Sequence, residues 1–384
     1  MTSYYQISNF EQCNIDSIYK SKLIFETKTD EKVYRLKDSI IVKLPKNRNS
    51  LTTSWINGGY VENIEAIFNH QLKLGINNPD GLEGYSVSDY MKIIAERLNL
   101  NPERVTGLIT SADMEKVSIS NKCFRDLEVT AIITGGVNVN GGRAGDPAAY
   151  FEKDNKFFEY KIGTINTILI INSQLDESTL LTAMMTAIES KTVALQELMA
   201  PSKYSTSIAT GSGTDKISIV SNMESKNVLT DAGKHSKLGE LIGKCVIEAT
   251  KCALAKQTNL TPKSQFSMMK RLNRFDIDEE KYWEIATSTY RTDQESEFIK
   301  ELHYFSQNPL VVAMISSILH IVDEIQWKLI PELTGKKTAL LIMNTLPEVL
   351  KIKDFPKNEN IITENDSIIE SWIKISSWCI LNSS

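Results

Sequence analysis

The residues with chemical potential in this sequence gather in glycine-rich polar loops. In DAGKHSKLGEL, His235 stands beside Lys234 and close to Lys237 at the mouth of a helical pattern, in a chain with four histidines. Imidazole exchanges protons near neutral pH, so His235 suits a general acid/base. Flanking lysines and a helix N-terminus would disfavour imidazolium and keep the ring neutral. The plain alternative is a helix-entry histidine bonded to its loop, with Lys234 a solvated cation. In SGTDK, Asp215 either orients that imidazole, holds a water, or serves as a turn residue before a strand. Ser212 and Thr214, with Gly211 and Gly213, form a cradle of amides and hydroxyls or simply the turn.

Other candidates follow the same logic. In NGGRAGDP, Arg143 and Asp146 either close their loop as a salt bridge or hold a ligand's carbonyl, with Asn138 reading a second group. Glu189, in AIESKT, is a water-activating base or a solvated helix carboxylate. Thr164 and Asn166 open the charge-free strand GTINTILIINSQ and read as positioning residues. Trp55 and Asn57, in SWINGG, offer an aromatic platform beside a side-chain amide, or ordinary packing.

Several functions lose support. A net charge of −5 gives no sign of a nucleic-acid groove. GELIGKC lacks the spacing and hydroxyl of a phosphate loop, TGSGTD lacks the GxGxxG continuation, and HExxH and GxSxG are missing. His235 has no second His or Cys at ligand spacing, so no metal is expected. The five cysteines are scattered and form no CxxC. The start lacks a signal-peptide pattern, and His320 and Asp323 interrupt the continuation of PLVVAMISSILHIV. The expectation is a cytoplasmic protein without a membrane span, a homo-oligomer remaining open.

These loops need rigid elements to position them. KLIFET, EKVYRL and SIIVKLP read as a strand meander, and VSDYMKIIAERL as a helix with Ser88 as a cap. LEVTAIITGG and the charge-free run read as strands. DESTLLTAMMTAIESKTVALQEL places Leu181, Met184, Ile188 and Leu195 on one helical face. Leu238, Leu241, Ile242, Cys245 and Ala249 recur at helical spacing. Interleaved strands and helices predict an α/β domain, a layered α+β architecture, over residues 1–255. From 256 to 384 glycine nearly vanishes and helical periodicity takes over, which predicts a mainly α-helical C-terminal extension.

The order of segments resembles a known family. SWINGG (54–59), GLITSADM (107–114), TGGVNVNGGRAGDPA (134–148), the run 163–195, ATGSGTDKISIV (209–220) and GKHSKLGELIGK (233–244) together resemble the adenosylcobinamide amidohydrolases (CbiZ). The resemblance implies hydrolysis of the amide joining the corrin ring to aminopropanol, giving adenosylcobyric acid in cobalamin salvage. It implies a small-molecule corrinoid as substrate, with no cofactor of the protein's own. His235 would then be the acid/base, with the loops 138–146 and 211–215 around the substrate and its oxyanion. A fainter likeness from Gly163 to Val220 is to the ornithine acetyltransferases and related aminopeptidases. These are αββα-layered proteins that cleave themselves to expose a Thr or Ser, and Thr164 would be the residue to suspect. A non-catalytic corrinoid-binding module is the third reading.

Overall fold

A computed structural model describes residues 21–72, 83–148, 163–356 and 361–382. The chain divides into two compact units, Met1–Thr261 and Pro262–Ser384. The helix at the expected boundary of 255 runs on to Thr258, so the division falls just beyond its left-handed cap at Asn259.

The first unit stacks four layers. One sheet orders β1 (Lys22–Glu26), β2 (Lys32–Arg35), β3 (Ser39–Lys43), β6 (Ala66–Gln71) and β7 (Val105–Thr110). The other orders β5 (Gly59–Val61), β4 (Arg48–Thr52), β14 (Lys216–Asn222), β11 (Ile165–Ile171), β9 (Leu127–Gly135) and β8 (Ser118–Phe124). Alternation along each strand sorts the side chains between layers. Ile40, Val42, Ile67 and Leu108 of the first sheet meet Ile132, Ile168, Ile170 and Val220 of the second between the sheets. Ile41 and Phe68 turn outward onto helix α1 (Val87–Arg97). Ile133, Leu169 and Ile219 turn to helices α2 (Glu177–Glu197) and α3 (Lys237–Thr258). The result is an αββα sandwich, completed by two short ladders, β10 (Gly141–Gly142) with β13 (Gly211–Ser212) and β12 (Gln174–Leu175) with β15 (Val228–Leu229).

A buried ion pair joins the sheets. Arg48 Nε donates to Glu31 Oε1 at 2.6 Å, with side chains 3% and 0% exposed. Further bonds from Arg48 to the Lys46 and Thr29 carbonyls satisfy the guanidinium.

Two local expectations are corrected. The cap of α1 is Ser86, which accepts from the Asp89 N–H, rather than Ser88. The buried face of α2 carries Leu180, Ala183, Thr186, Ala187, Ser190, Ala194 and Leu195; of the four residues expected there Leu195 is buried and Met184 half-buried, whereas Leu181 and Ile188 are exposed. Small residues let α2 and α3 lie close together on the sheet, so side-chain size, more than hydrophobicity, chose the inward face.

In the second unit, helices α4 (Met268–Leu272), α5 (Glu279–Tyr290), α6 (Glu295–Ser306), α7 (Pro309–Gln326), α8 (Glu332–Asn344) and α9 (Ile368–Leu381) surround a core built on Tyr282, Ile315, Leu319 and Trp372. Pro309 occupies the first turn of α7, as its fixed φ favours. By length and composition α7 is apolar enough to cross a bilayer. Its buried side packs into this core, and Asp323 there pairs with Arg274 at 2.6 Å.

The entry to α3 is crowded. A Cβ on Gly239 would lie 2.0 Å from the Gly233 carbonyl oxygen. Gly239→Ala is therefore expected to lower stability by about 2 kcal/mol, the usual scale of overpacking. Urea denaturation checks this, and an unchanged midpoint would contradict it.

Candidate active site

Strands β11 and β14 are parallel neighbours, so both begin at the same end of their sheet, and the loops leading into them meet there. Gly163, just before β11, has φ +145°, and a Cβ on it would stand 2.8 Å from the Cβ of Asn140. Its carbonyl oxygen accepts from three side chains: Asn140 Nδ2 at 3.0 Å, Ser212 Oγ at 3.0 Å and Thr214 Oγ1 at 2.8 Å.

Asp215 ties this arrangement down. Its Oδ1 accepts from the Ile165 N–H at 2.7 Å and lies 2.6 Å from Ser212 Oγ, whose single proton is shared between Asp215 and Gly163. Its Oδ2 accepts from the Ser212 N–H at 3.0 Å and pairs with the Lys191 ammonium of α2. Both side chains are mostly buried, at 12% and 14% exposure, so the pair is weakly screened by solvent. Nearby, Tyr204 OH donates to Asn140 Oδ1 at 2.7 Å, which orients the Asn140 amide.

A cavity of about 640 Å³ opens over these groups, lined by Asn140, Arg143, Lys191, Tyr204, Ser212 and Asp215 among others, within the usual range for small-molecule sites. Its rim is a loop closed by Asp146, which accepts from the Arg143 N–H at 2.7 Å and the Ser202 hydroxyl at 2.6 Å. Burial pushes the Asp146 carboxyl up, but the bonds from Ser202, Ser205 and Arg143 outweigh it and hold the group below its ordinary value. On one wall Ile188 continues, along α2, into the exposed Met185 and Leu181.

The sequence candidates divide accordingly. Arg143, Asp146, Ser212, Thr214 and Asp215 line the cavity, and Thr164 lies beneath it, its hydroxyl bonded to the Thr214 carbonyl at 2.7 Å. His235 is not brought there. It sits exposed in the turn before α3, where Ser236 caps the helix by accepting from the Gly239 N–H. Lys234 and Glu189 are also exposed and neutralise each other across the surface, so neither serves the cavity. Asn138 is exposed outside the lining, and Asn140, two residues on, turns inward instead. Asn57 has a structural task, donating to the Pro102 and Val105 carbonyls at 2.7 Å each. Asn166 lies between the sheets and Trp55 packs against the cluster that the first sheet shares with α1, both away from this lining.

Sequence reasoning missed Asn140, Lys191 and Tyr204. Lys191 was detectable: two residues from Glu189, it projects on nearly the opposite side of the helix, so a site that uses one cannot use the other. Among the described residues no group of three or more His, Cys, Asp or Glu could hold a metal.

Converging amide and hydroxyl donors, an acidic acceptor beside a serine hydroxyl and a buried ammonium suit chemistry at a carbonyl. Comparison with known proteins bears on which. The family model for adenosylcobinamide amidohydrolase (CbiZ) matches residues 24–262. An uncharacterised protein of Methanocaldococcus jannaschii is 31% identical over 233 residues, 58% of this chain and 88% of that one. The adenosylcobinamide amidohydrolase of Methanosarcina mazei is 27% identical over 229 residues, 58% of this chain and 96% of that one. Among solved structures, a Pyrococcus horikoshii protein aligns with a TM-score of 0.31 at 13% identity, covering 62% of this chain and 84% of its own. The L-aminopeptidase D-Ala-esterase/amidase of Ochrobactrum anthropi aligns at 0.28 and 9%, covering 63% and 83%.

The Lys191–Asp215 pair makes a stability prediction. Lys191→Met leaves a mostly buried carboxylate without its cation and should cost about 3 kcal/mol, whereas adding Asp215→Asn should recover part of that loss. Denaturation of the single and double variants tests it; additive losses would contradict the coupling.

Proposed function

The chain belongs to the adenosylcobinamide amidohydrolase family, and on that premise we propose that it hydrolyses the aminopropanol amide of adenosylcobinamide. Water adds across the C–N bond, leaving adenosylcobyric acid and aminopropanol, a step suited to cobalamin salvage. The observation that supports this most is the convergence of Ser212, Asp215 and Lys191 at the floor of the cavity, beside side chains already arranged around a carbonyl oxygen.

In this reading the Ser212 hydroxyl attacks the amide carbon or directs a water to it, and Asp215 receives the proton. Lys191 gives a proton to the departing amine, so that no amide anion has to leave. Arg143 at the rim faces the charge that develops on the carbonyl oxygen. The apolar wall of Ile188, Met185 and Leu181 offers a flat surface to the corrin face. The corrinoid enters as substrate and is not retained as a cofactor.

A specific observation also favours a second reading. The Gly163 carbonyl, polarised by three donors, is followed directly by the Thr164 hydroxyl. Attack of that hydroxyl on the Gly163 carbon would shift the acyl group from nitrogen to oxygen, and water would then release a chain beginning at Thr164. Intact mass separates the readings: a single uncut chain disposes of self-cleavage.

Incubation with adenosylcobinamide is expected to release aminopropanol. Asp215→Asn should lower kcat/KM by about 10²-fold or more, and His235→Ala by less than about twofold. Folded wild-type protein that releases no aminopropanol would overturn the hydrolytic reading, and a large loss in His235→Ala would return catalysis to that turn.

A further inference from the structure

The inner face of the second sheet ends in a polar row. Thr134, Asn166 and Lys216 are register partners across β9, β11 and β14. Register partners share a face, and this one points between the sheets. One row deeper the same face carries Ile132 and Ile168 of the apolar core.

Asn166 is 1% exposed. Its Nδ2 donates to Asn69 Oδ1 at 2.8 Å and to the Ile109 carbonyl at 2.9 Å, both in the first sheet. Asn69 donates in turn to Thr134 Oγ1 at 2.7 Å. These bonds fix the orientation of the Asn166 amide, and they leave its buried Oδ1 without a hydrogen-bond partner among the described residues. A buried acceptor with no donor costs about 1–3 kcal/mol.

Beside it in register, the Lys216 ammonium lies 3.9 Å from the centroid of the Trp55 ring. Among the described residues it meets no carboxylate, and burial pushes its amine below the ordinary lysine value. The loop beside the indole is tied to the first sheet. Ser54 Oγ bonds the Gly107 carbonyl at 2.5 Å and accepts from its N–H at 3.2 Å, stitching this loop to β7. At one end of the sandwich, two register partners thus carry a buried acceptor that lacks a donor and a cation that lacks an acceptor among the described residues, the cation lying over an aromatic face.

We infer that Lys216, Asn166 and Trp55 form a carboxamide-binding subsite. The ligand's carbonyl oxygen accepts from Lys216 Nζ, its N–H donates to Asn166 Oδ1, and its apolar stem lies against Trp55. A carboxylate or phosphate would satisfy Lys216 but offer Asn166 Oδ1 only further acceptors. An ammonium would satisfy Asn166 and be repelled by Lys216. A carboxamide carries both functions on one carbon. The identity of the ligand rests on the proposed amidohydrolase function: a corrinoid is rimmed with carboxamides. The subsite lies at the sheet end where β11 and β14 begin, one residue from Ile165 and Asp215.

Two measurements test this on the full chain: steady-state release of aminopropanol, and equilibrium dialysis against cobinamide. Lys216→Met should raise both KM and Kd about tenfold while kcat changes by less than about twofold; Lys216→Arg should restore most of the affinity. Trp55→Phe, which keeps a ring beneath the cation, should weaken binding by a few-fold and serves if Lys216→Met does not fold. Cobinamide whose rim carboxamides have been hydrolysed to carboxylates should bind wild-type protein about tenfold more weakly. Equal or tighter binding of that probe overturns the carboxamide assignment. Release of aminopropanol with KM and Kd unchanged in Lys216→Met defeats the subsite and leaves the hydrolase. Binding that depends on Lys216 without any release defeats the hydrolase and leaves the subsite. Neither binding nor release defeats both.

Discussion

The Asp215 carboxylate is the constraint on which the functional end of this sandwich depends. It takes hydrogen bonds from the backbone of β11, from the N–H and hydroxyl of Ser212 in its own loop, and from Lys191 on α2. An ionised carboxylate has the acceptor capacity for all of these, and charge-assisted bonds are the stronger kind. Remove the charge and three separate segments lose their common anchor. The carbonyl of Gly163, with its ring of donors, is held in place only as firmly as those segments are.

The topology explains why the anchor can form. In a parallel pair both strands start at the same end, and the connection between them must cross back along the sheet. Helix α2 makes that crossing, so its C-terminal half returns to the level where β14 begins, bringing Lys191 and Thr192 over the 210–215 loop. Thr192 fixes the approach by donating to the Thr210 carbonyl at 3.0 Å. The inward face of α2 is built mostly of small side chains, which sets the helix low on the sheet and leaves Leu181, Met185 and Ile188 facing the cavity rim and solvent.

Much of the scaffold was legible in the sequence because it rests on period. Alternation marked the strands, the 3.6-residue repeat marked α3, and the loss of glycine marked the helical unit. The site was legible as a set of loops: the segments around Arg143–Asp146 and Ser212–Asp215 do converge. Individual side chains were harder. His235 drew attention as an unusual residue in a polar turn, yet the cap by Ser236 and the Lys234–Glu189 pair account for that polarity without it. Asn140 and Asn138 share one loop, and only the fold decides which turns inward. Lys216 and Asn166 stand fifty positions apart and become neighbours through strand register, a relation that no local pattern records.

The central claim is that the scissile amide lies in the cavity above Asp215. A structure of the wild-type protein with an adenosylcobinamide analogue bound, a methylene replacing the scissile nitrogen, tests it most directly. The carbonyl carbon is expected within about 3–3.5 Å of Ser212 Oγ, the distance of a near-attack arrangement. A carbonyl found outside that cavity, at the turn that carries Lys234 and His235, would contradict it.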